Sequence, residues 1–503
     1  MTARNHLYDG LLRARVDDAR PFLRLPDGQV WSYAETLAHA RQLARVLAEQ
    51  GVRPGDRVLV QVKKCPHALC IYLASIYLGA VYLPLNTAYT RNELEFFATD
   101  AEPALIIVDP SQRDAATTIG AKVMTLDAAG GGDLAAAAEA EPDDFEPVSR
   151  APDDLAAILY TSGTTGRSKG AMLTHDNLLS NALTLTEAWR FTADDVLIHA
   201  LPIFHTHGLF VATNIILAAA ASMIFLPKFD ANTIFENLPE ATSLMGVPTF
   251  YTRLCDDPRL TADAVAHMRL FVSGSAPLLA ETFAAFEART GKWILERYGM
   301  TETNMITSSP YDGERRAGTV GFPLPGVAVR IADGETGEVG VIEVKGPNVF
   351  TGYWRMPEKT AEEFRADGFF ITGDLGRFDE DGYLHIVGRA KDLVISGGFN
   401  VYPKEVETEI DALAGVLESA VIGLPHPDLG EGVTAVVVKH PGADVTAEAI
   451  LMEIGQRLAR FKQPKRIIFA EALPRNAMGK VQKSLLRKAH QKLYLNAQGL
   501  DSA

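Results

Sequence analysis

The chain has 503 residues, of which 47% are hydrophobic and 22% are charged, a composition that supports about three domain-sized units of roughly 150 residues each. Its 63 acidic and 48 basic residues give a formal net charge of -15, which disfavours nucleic acid and anionic membranes as partners. An anionic ligand must therefore be bound by a local positive site.

Three cysteines occur, and their spacing matches neither a metal-binding nor a redox motif. Cys65, Cys70 and Cys255 are therefore predicted to be core thiols in a reducing compartment. The first residues mix charges of both signs and lack the apolar stretch of a secretory signal. We expect a cytoplasmic protein.

Two uncharged runs, 68–85 and 209–227, approach the roughly 18 residues that characterise a membrane span. Each run divides into a helix-length piece and a following β-rich piece, "AVYLPL" in the first and "SMIFLP" in the second. This division favours a buried helix that leads into a buried strand. We therefore predict no membrane-spanning segment.

In chain order, residues 31–110 alternate apolar helical segments with short strands such as "RVLVQV" and "ALIIVDP", which is typical of a sheet with helices on its faces. Residues 127–147 are rich in Ala, Gly, Asp and Glu, and we expect a surface excursion that does not join the core. The middle third continues the alternation, with strand-like runs that end in loops of small or polar residues. Such loops are where α/β sheets bind ligands.

From about Val320 the pattern changes to period-two strands, and "DLGRFDEDGYLHIVGR" predicts a hairpin with an Asp-Gly turn. Beyond Arg389 we predict two strands, a helix near 446–460 and a basic last helix, which together fold as an α+β unit. The predicted fold class is α/β. A large N-terminal domain of layered α/β sheets plus a β-rich subdomain, residues 1–389, precedes a small, mobile α+β C-terminal domain, residues 390–503.

The loop "YTSGTTGRSKG", residues 160–170, combines glycines, hydroxyls and a lysine. Gly163 and Gly166 permit positive φ and close backbone approach, so N–H groups can face phosphate oxygens while Lys169 adds charge. The spacing is not that of the P-loop, because Lys169 follows Gly166 by three positions and leads into a strand-like segment. Taken alone, a Gly/Thr loop is more often a flexible turn between two strands.

Further motifs follow in a fixed order: "PIFHTHGL" (202–209), "SGSAP" (273–277), "YGMTE" (298–302), "ITGD" (371–374), "GRAKD" (388–392), "SGGFNVYPKEVE" (396–407) and "PRNAMGK" (474–480). Together with the loop they resemble the adenylate-forming enzymes, the superfamily of acyl-CoA synthetases, luciferases and the adenylation domains of peptide synthetases, over essentially the whole chain. One departure is Ser168, where the family usually has proline.

The resemblance implies an enzyme in which a carboxylate attacks the α-phosphorus of ATP and expels pyrophosphate, with Mg²⁺ bound and coenzyme A as the second substrate. It implies Lys480, Glu302 and His205 as catalytic residues, and Thr164 and Glu302 as contacts of Mg²⁺. The residues implied in ATP binding are Thr161, Ser162, Gly163, Thr164, Thr165, Gly166, Lys169, Ser275, Ala276, Pro277, Glu296, Arg297, Tyr298, Gly299, Met300, Thr301, Asp374, Arg389 and Lys480.

The resemblance also implies individual roles within this set. Tyr298 stacks on adenine, Asp374 accepts hydrogen bonds from the ribose hydroxyls, and Arg389 supports ribose or phosphate. Lys480 reaches both the attacking carboxylate and the α-phosphate. Singly, each of these residues also has an ordinary structural reading as a surface acid, a turn residue or an ion-pair partner.

Family members reach the thioester-forming step by rotation of the C-terminal domain about a hinge, here at Lys391. The rotation is implied to withdraw Lys480 and to bring the segment that lines the pantetheine tunnel to the site. Residues in this coenzyme A and hinge set are Lys391, Ser396, Gly397, Gly398 and Phe399. A plain Gly-Gly hairpin turn is the alternative reading of that segment.

For the acid, "GVPTFYTRL" predicts a helix begun by Pro248 with Arg253 on it. Arg253 is expected either to clamp a second carboxylate or to pair with Asp256 or Asp257 on the surface. The acyl-pocket motifs resemble those of malonyl-CoA and methylmalonyl-CoA synthetases, which implies a short dicarboxylic acid. The residues implied in substrate binding are Thr206, His207, Arg253, Ser275 and Met305.

Other functions remain open at this stage: a ligase for another short or aromatic acid, an amino-acid-activating domain, a luciferase-like oxygenase, and a non-catalytic nucleotide-binding protein. The presence of Lys480, Glu302 and Asp374 together favours an enzyme over the last. Small molecules are the expected partners. A lysine acetyltransferase and deacetylase acting on the C-terminal domain are further expected partners, since acetylation of Lys480 removes the charge that adenylation needs.

Overall fold

The protein is described by a computed structural model over residues 4–161, 168–332, 337–476 and 479–494. The α-helices in this part of the chain are α1 (His6–Leu11), α2 (Tyr33–Glu49), α3 (Pro66–Leu78), α4 (Arg91–Ala101), α5 (Arg113–Thr117), α6 (Asp133–Glu139), α7 (His175–Ala188), α8 (Asn214–Ala219), α9 (Ala231–Asn237), α10 (Pro248–Cys255), α11 (Ala280–Thr290), α12 (Pro357–Glu362), α13 (Pro403–Asp411), α14 (Ala447–Gly455) and α15 (Lys483–His490).

The strands in the same part of the chain are β1 (Pro21–Arg24), β2 (Val30–Ser32), β3 (Arg57–Gln61), β4 (Val81–Pro84), β5 (Leu105–Val108), β6 (Lys122–Thr125), β7 (Leu155–Thr161), β8 (Lys169–Thr174), β9 (Val196–His199), β10 (Ser222–Phe225), β11 (Ser243–Gly246), β12 (Leu270–Ser273), β13 (Ile294–Met300), β14 (Asn304–Ser308), β15 (Phe322–Pro323), β16 (Ala328–Ala332), β17 (Gly340–Lys345), β18 (Gly352–Tyr353), β19 (Phe370–Phe378), β20 (Leu384–Arg389), β21 (Val394–Ser396), β22 (Phe399–Val401), β23 (Val416–His426), β24 (Gly430–Lys439) and β25 (Arg466–Ala470).

These strands form four sheets over the described residues. Sheet A has the order β15-β14-β13-β12-β11-β9-β10-β1-β2, and sheet B has the order β18-β8-β7-β4-β3-β5-β6. Sheet C is the antiparallel set β16-β17-β19-β20, and sheet D is β22-β21-β24-β23 with β25 parallel to β24. The chain therefore builds two layered α/β sheets, then a small antiparallel sheet, then an α+β unit, and the predicted fold class is confirmed.

The parallel part of sheet A fixes the position of the loops that matter most. Strands β10, β9, β11, β12 and β13 run parallel to one another, so their carboxyl ends lie along one edge of the sheet. The ends of β12 and β13 and the segments that follow β9, β11, β12 and β13 carry the motifs at 202–209, 273–277 and 298–302 and the helix with Arg253. Ligands of open α/β sheets bind at this edge.

The two uncharged runs fold as predicted, each as a helix that leads into a buried strand. In the first, α3 begins with Pro66 and ends at Gly79, which adopts φ 71° and so reverses the chain into β4. In the second, a π-helical turn at His207–Thr213 continues into α8 and then β10. No helix within the described ranges combines the length and apolar character needed to cross a bilayer.

One expectation was wrong, since residues 127–147 do contribute to the core. Helix α6 lies inside this segment, and Leu134, Ala135 and Ala138 on it are buried in the main hydrophobic cluster. Alanine is the strongest helix former and occupies little volume, so an Ala-rich segment packs closely on α2. The many small and acidic residues around it concealed a short amphipathic helix.

The C-terminal unit contains the predicted elements, together with strands β21, β22 and β25 and helix α13. Strands β23 and β24 pair antiparallel over their length, and the predicted helix near 446–460 is α14, which ends at Gly455. Buried apolar residues form clusters between Val394 and Tyr494 that are separate from those between Leu7 and Leu384. The domain boundary at 389/390 stays a prediction. The three cysteines are free thiols, and Cys65 and Cys70 are buried as expected, whereas Cys255 is only partly buried.

Asp195, at the amino end of β9, provides a test of the fold. It is 3% exposed and accepts hydrogen bonds from Arg269 Nε at 2.6 Å, Arg269 Nη2 at 2.8 Å and Thr242 Oγ1 at 2.7 Å. Burial alone raises the pKa of Asp195, but the bonds from Arg269 hold it below its ordinary value.

We expect Asp195→Ala to lower the free energy of unfolding by about 3 kcal/mol, because Arg269 keeps its charge and loses its partner. The neighbouring Asp194 is exposed, so Asp194→Ala should change the same quantity by less than about 0.5 kcal/mol. Urea denaturation followed by fluorescence measures both. Equal effects of the two substitutions would contradict this account of sheet A.

Candidate active site

A cavity of about 490 Å³ lies between the carboxyl edge of sheet A and the C-terminal unit. Val247 and Pro248 line it from α10 and its preceding residue, and Pro403 and Lys404 line it from α13. The predicted site residues that line this cavity are Arg253, Ser275, Ala276, Pro277, Glu296, Arg297, Tyr298, Gly299, Asp374, Arg389 and Lys480. Residues far apart in sequence are therefore brought together at one place.

Arg297 is the most unusual charge in the cavity. It lies on β13 and is 4% exposed, and among the described residues no carboxylate pairs with it. Its closest polar neighbour is Ser275 Oγ, 3.5 Å from Nη2, and its Nε has no hydrogen-bond partner in the described part of the chain. Burial lowers the pKa of Arg297 to about 9, so the guanidinium stays charged at neutral pH.

The loop after β12 is shaped around this guanidinium. A Cβ placed on Gly274 would come within 2.5 Å of Arg297 Cζ, so glycine leaves the space that the side chain fills. Ser275 adopts φ 73°, a left-handed conformation that costs a non-glycine residue free energy. This conformation places its hydroxyl 3.2 Å from His207 Nδ1 as well as next to Arg297.

His205, Thr206 and His207 are not among the residues that line the cavity, and His207 reaches it through its contact with Ser275. Three of their atoms, His205 Nδ1, Thr206 Oγ1 and His207 Nε2, are buried without hydrogen-bond partners among the described residues. Burial, followed by the charges of Lys480 and Arg297, lowers the pKa of His205 to about 3. Burial and Arg297 also hold the pKa of His207 well below its ordinary value. Both imidazoles are therefore neutral.

A second group of residues that line the cavity forms a hydrogen-bonded set. The Tyr298 hydroxyl donates to Asp374 Oδ2 at 2.6 Å, and Arg389 Nε lies 2.9 Å from Asp374 Oδ1. Two residues before Tyr298 on β13, Glu296 is 7% exposed and its Oε1 has no partner in the described part of the chain. Burial raises the pKa of Glu296 to about 8.

The Glu302 carboxylate lies behind this group and is 5% exposed. Its Oε1 accepts hydrogen bonds from Thr161 Oγ1 at 3.3 Å and from the Tyr353 hydroxyl at 3.2 Å. Burial raises the pKa of Glu302, because among the described residues the carboxylate has no ion-pair partner. A cation at this position would remove that cost.

Lys169, which follows the predicted phosphate-binding loop, forms an ion pair with an acidic side chain of the protein. Its Nζ lies 2.9 Å from Glu363 Oε1 and 4.0 Å from the centre of the Tyr353 ring. Ser162, Gly163, Thr164, Thr165 and Gly166 lie outside the described residues, so their predicted contacts stay predictions.

Lys480 enters the cavity from the C-terminal unit. A turn holds its backbone, in which Asn476 Oδ1 accepts from the Lys480 N–H at 3.0 Å. Burial, and after it the charge of Arg389, lowers the pKa of Lys480 to about 8, while Asp374 and Glu302 act in the opposite direction. The ammonium therefore lies among the residues of the adenylate site that the sequence predicted around it.

The predicted hinge and coenzyme A residues lie elsewhere. Lys391 is in a 3-10 turn, and the next hairpin, β21 to β22, turns through Gly397 at φ 59° and Gly398 at φ 81°. Phe399 is 55% exposed and stacks on Phe461 with a centroid distance of 4.8 Å. Ser396 to Phe399 lie outside the cavity, so the hairpin-turn reading describes this arrangement.

Other predicted substrate residues take distinct positions. Met305 is 2% exposed on β14 and packs against Gly299, where a Cβ would come within 2.7 Å of its methyl carbon. Met300, at the end of β13, and Thr301, in the turn before β14, are partly buried. Arg253 lies on α10 as predicted but is exposed, and its guanidinium is 5.6 Å from the centre of the Phe229 ring.

The surface ion-pair alternative for Arg253 is wrong for the described residues. Asp257 pairs with Arg259 at 2.7 Å, and no ion pair between Arg253 and an acidic residue occurs in this part of the chain. Sequence reasoning also missed the position of Arg297 as a buried cation without an acid, and the contribution of Tyr353 and Glu363. The signal for Arg297 was present, since a charged residue interrupts the buried strand "ILERYGM".

These features define an enzyme site that surrounds a nucleotide-sized cavity with unpaired cations. Residues 13–354 match the AMP-binding enzyme family, and residues 405–480 match the AMP-binding enzyme C-terminal domain. The chain belongs to the AMP-binding enzyme family. The resemblance to adenylate-forming enzymes is confirmed.

Individual relatives extend this match over nearly the whole chain. A malonate-CoA ligase of Arabidopsis thaliana is 35% identical, over 92% of this chain and 85% of that protein. A feruloyl-CoA synthase of an Amycolatopsis species is 36% identical, over 92% of this chain and 94% of that protein. The crystal structure of ATP-bound MatB from Rhodopseudomonas palustris is 58% identical, over 98% of this chain and 100% of that chain, with a TM-score of 0.96.

Apo MatB from Rhodopseudomonas palustris has the same 58% identity and the same coverage, 98% of this chain and 100% of that chain, but a TM-score of 0.85. The structure of this protein is therefore more similar to the ATP-bound form than to the apo form.

Proposed function

We propose that this protein is an AMP-forming acid-thiol ligase that joins a short dicarboxylic acid, malonate or methylmalonate, to coenzyme A through an acyl-adenylate. In the first step a carboxylate oxygen of the acid attacks the α-phosphorus of ATP, and pyrophosphate leaves. In the second step the thiol of coenzyme A attacks the acyl carbon, and AMP leaves. The malonate-CoA ligase relative and the similarity to ATP-bound MatB support this proposal.

The observation that carries the dicarboxylate assignment is the buried Arg297 without an acidic partner. A buried, unpaired guanidinium is costly, and a ligand carboxylate offsets that cost through charge-assisted hydrogen bonds. The hydroxyl of Ser275 lies beside it, and His207 Nε2 is a further buried polar atom without a protein partner among the described residues. We assign the distal carboxylate of the acid to Arg297 and Ser275, with His207 near them.

This assignment makes Arg297 a larger contributor than Arg253 to binding of the acid. Arg253 lines the same cavity but is exposed, so water stabilises its charge and its contribution to binding is smaller. Thr206 and Met305 flank the α-carbon of the acid in the proposed pose. A methyl branch changes binding by roughly 1–3 kcal/mol in an apolar pocket, so we expect both malonate and methylmalonate to react.

The nucleotide occupies the other end of the cavity in this proposal. Tyr298 stacks on adenine, and the unpartnered Oε1 of Glu296 suits the exocyclic amine of the base. Asp374 accepts hydrogen bonds from the ribose hydroxyls, with Arg389 holding its second oxygen. The loop around Thr164 holds the β- and γ-phosphates.

Glu302 fits a role as a ligand of Mg²⁺, because it is a buried carboxylate that hydrogen-bonds only neutral hydroxyls among the described side chains. Magnesium in nucleotide sites takes one or two protein oxygens and several from phosphate and water. When bound, the ion would neutralise charge on the phosphate oxygens. Thr161 and Tyr353 keep the carboxylate oriented in its absence.

Lys480 brings a positive charge to the attacking carboxylate and the α-phosphate during adenylation. Thioester formation then requires rotation about Lys391, which withdraws Lys480 and brings Ser396 to Phe399 to the site. We propose the cytoplasm as the location, which the three free cysteines support. A lysine acetyltransferase that modifies Lys480 would remove this charge and switch adenylation off.

A substrate panel tests the assignment of the acid. With ATP, Mg²⁺ and coenzyme A, we expect AMP and thioester from malonate and methylmalonate, and little from acetate or ferulate, which leave Arg297 unpaired. Arg297→Ala should lower kcat/KM for malonate by at least about a hundredfold, from a cost of about 3–5 kcal/mol, and Arg253→Ala by about tenfold or less. Mass spectrometry of the thioester measures both. Preferred use of ferulate by the wild type would instead favour an aromatic-acid ligase.

The pH dependence of adenylation tests Lys480. Its charged form predominates below its pKa of about 8 and is lost above it, so kcat/KM for pyrophosphate release without coenzyme A should fall as pH rises through about 8. Lys480→Arg should remove that fall, because arginine stays charged, and Lys480→Ala should lower the rate by roughly a hundredfold.

Glu296 titrates in the same range, with a pKa of about 8, and Glu296→Gln is therefore the matched control. A profile that keeps its fall in Glu296→Gln and loses it in Lys480→Arg assigns the titration to Lys480. The reverse result would assign it to Glu296. Thioester formation from pre-made acyl-adenylate should survive in Lys480→Ala, and equal loss of both half-reactions would refute the adenylation role.

A further inference from the structure

A chain of hydrogen bonds connects Lys169 to Glu302 through Tyr353 and Glu363. Lys169 Nζ lies 2.9 Å from Glu363 Oε1, and the Tyr353 hydroxyl lies 2.8 Å from Glu363 Oε2 and 3.2 Å from Glu302 Oε1. The four residues come from separate parts of the fold: the start of β8, the end of β18, the residue after α12, and the turn between β13 and β14. Lys169 therefore contacts the Glu363 side chain of the protein itself.

The members of this chain are held firmly. Tyr353 is 2% exposed, its backbone N–H donates to Thr360 Oγ1 at 2.9 Å, and its strand pairs with β8 beside Lys169. The Lys169 ammonium lies over the Tyr353 ring at 4.0 Å from the centroid, a favourable cation–π contact. The side chains of Lys169 and Glu363 are 12% and 20% exposed. These contacts fix the direction of the Tyr353 hydroxyl.

The hydroxyl of Tyr353 has one proton and two carboxylate acceptors. Glu363 Oε1 pairs with both Lys169 and Lys359, at 2.9 Å and 3.2 Å. These ion pairs reduce the charge that Glu363 offers to that proton, so the two lysines and Glu363 together set how the proton is divided between Glu363 and Glu302. The hydroxyls of Tyr353 and Thr161 both bond Oε1 of Glu302, and so hold the plane of the carboxylate. Hydrogen-bond partners of a metal-binding carboxylate typically change metal affinity by about 10–100-fold.

We propose that Glu363 is a positioning residue for the metal-binding carboxylate of Glu302, acting through the hydroxyl of Tyr353, and that Lys169, together with Lys359, serves this arrangement as a counter-ion of Glu363. The inference rests on the proposed assignment of Glu302 to Mg²⁺. It does not depend on which acid the enzyme uses.

The test measures metal affinity separately from turnover. Mn²⁺ binding to the full-length protein is titrated by electron paramagnetic resonance at saturating α,β-methylene ATP, which cannot release pyrophosphate. We expect Glu363→Gln and Tyr353→Phe each to raise the Mn²⁺ dissociation constant by about tenfold or more. Glu358 is the matched control, because it lies on α12 close to Glu363 but is exposed and has no ion pair among the described residues. Glu358→Gln should change the constant by less than about twofold.

Two further arms decide between explanations. Binding of the analogue without metal should be unchanged in Glu363→Gln and Tyr353→Phe. An equal loss of this metal-free binding in Glu363→Gln and Lys169→Met would overturn the proposal in favour of a direct phosphate contact by Lys169. Mn²⁺ affinities of Glu363→Gln and Tyr353→Phe within about twofold of the wild type would overturn it as well. Tyr353→Phe removes a single hydroxyl and keeps the test valid if Glu363→Gln does not fold.

Separate measurements test the metal assignment of Glu302 and the use of malonate. Glu302→Gln should weaken Mn²⁺ binding more than any other variant, and an unchanged constant would refute the metal assignment together with this inference. Thioester formation from malonate by the wild type tests the proposed function alone. A wild type that ignores malonate but shows the expected Mn²⁺ series would retain the role of Glu363.

Discussion

The cavity depends on positive charges that the protein buries without neutralising them. Arg297 and Lys480 have no acidic ion-pair partner among the described residues, in a chain whose net charge is -15. Each buried cation disfavours the empty site, and each is stabilised when an anion arrives. A strongly acidic protein can bind anionic substrates because the attraction is local and lies in a low-dielectric region, where an opposite charge has most effect.

Other cations near the cavity form ion pairs with acidic side chains. Paired and unpaired cations therefore have different roles. Arg389 is paired with Asp374, and Lys169 with Glu363. Paired cations keep neighbouring side chains in fixed positions, whereas unpaired cations are left to meet a ligand. The parallel strands of sheet A make the arrangement achievable, since they deliver loops from four strands to one edge.

Local patterns in the sequence predicted the elements well, because they depend on neighbours in the chain. The helix and strand in each uncharged run, the hairpin of β19 and β20, and the helix begun by Pro248 all appear as expected. The family motifs also placed Tyr298, Asp374 and Lys480 in one site before their contacts were known. Residues 127–147 were misjudged because composition was averaged over a segment that contains a helix.

Local sequence patterns did not predict contacts between residues that are far apart in the chain. Lys169 and Glu363 are 194 positions apart, and nothing local indicates that they meet. A charge inside an apolar strand indicates that Arg297 is buried, but only the packing of β13 leaves it without an acidic partner, whereas Arg253 lies on an exposed helix face. Burial, which decides how strongly a charge needs a partner, is a property of the assembled sheets.

The backbone conformation of Ser275 limits how far the protein can be stabilised by substitution without loss of acid binding. Its left-handed backbone at φ 73° costs about 1–3 kcal/mol for a residue other than glycine. A selection for heat resistance would therefore favour glycine at this position, since glycine adopts the same conformation without strain. The stabilised variant would lose the hydroxyl beside Arg297 and His207, so thermostability and recognition of the acid are opposed at this single residue.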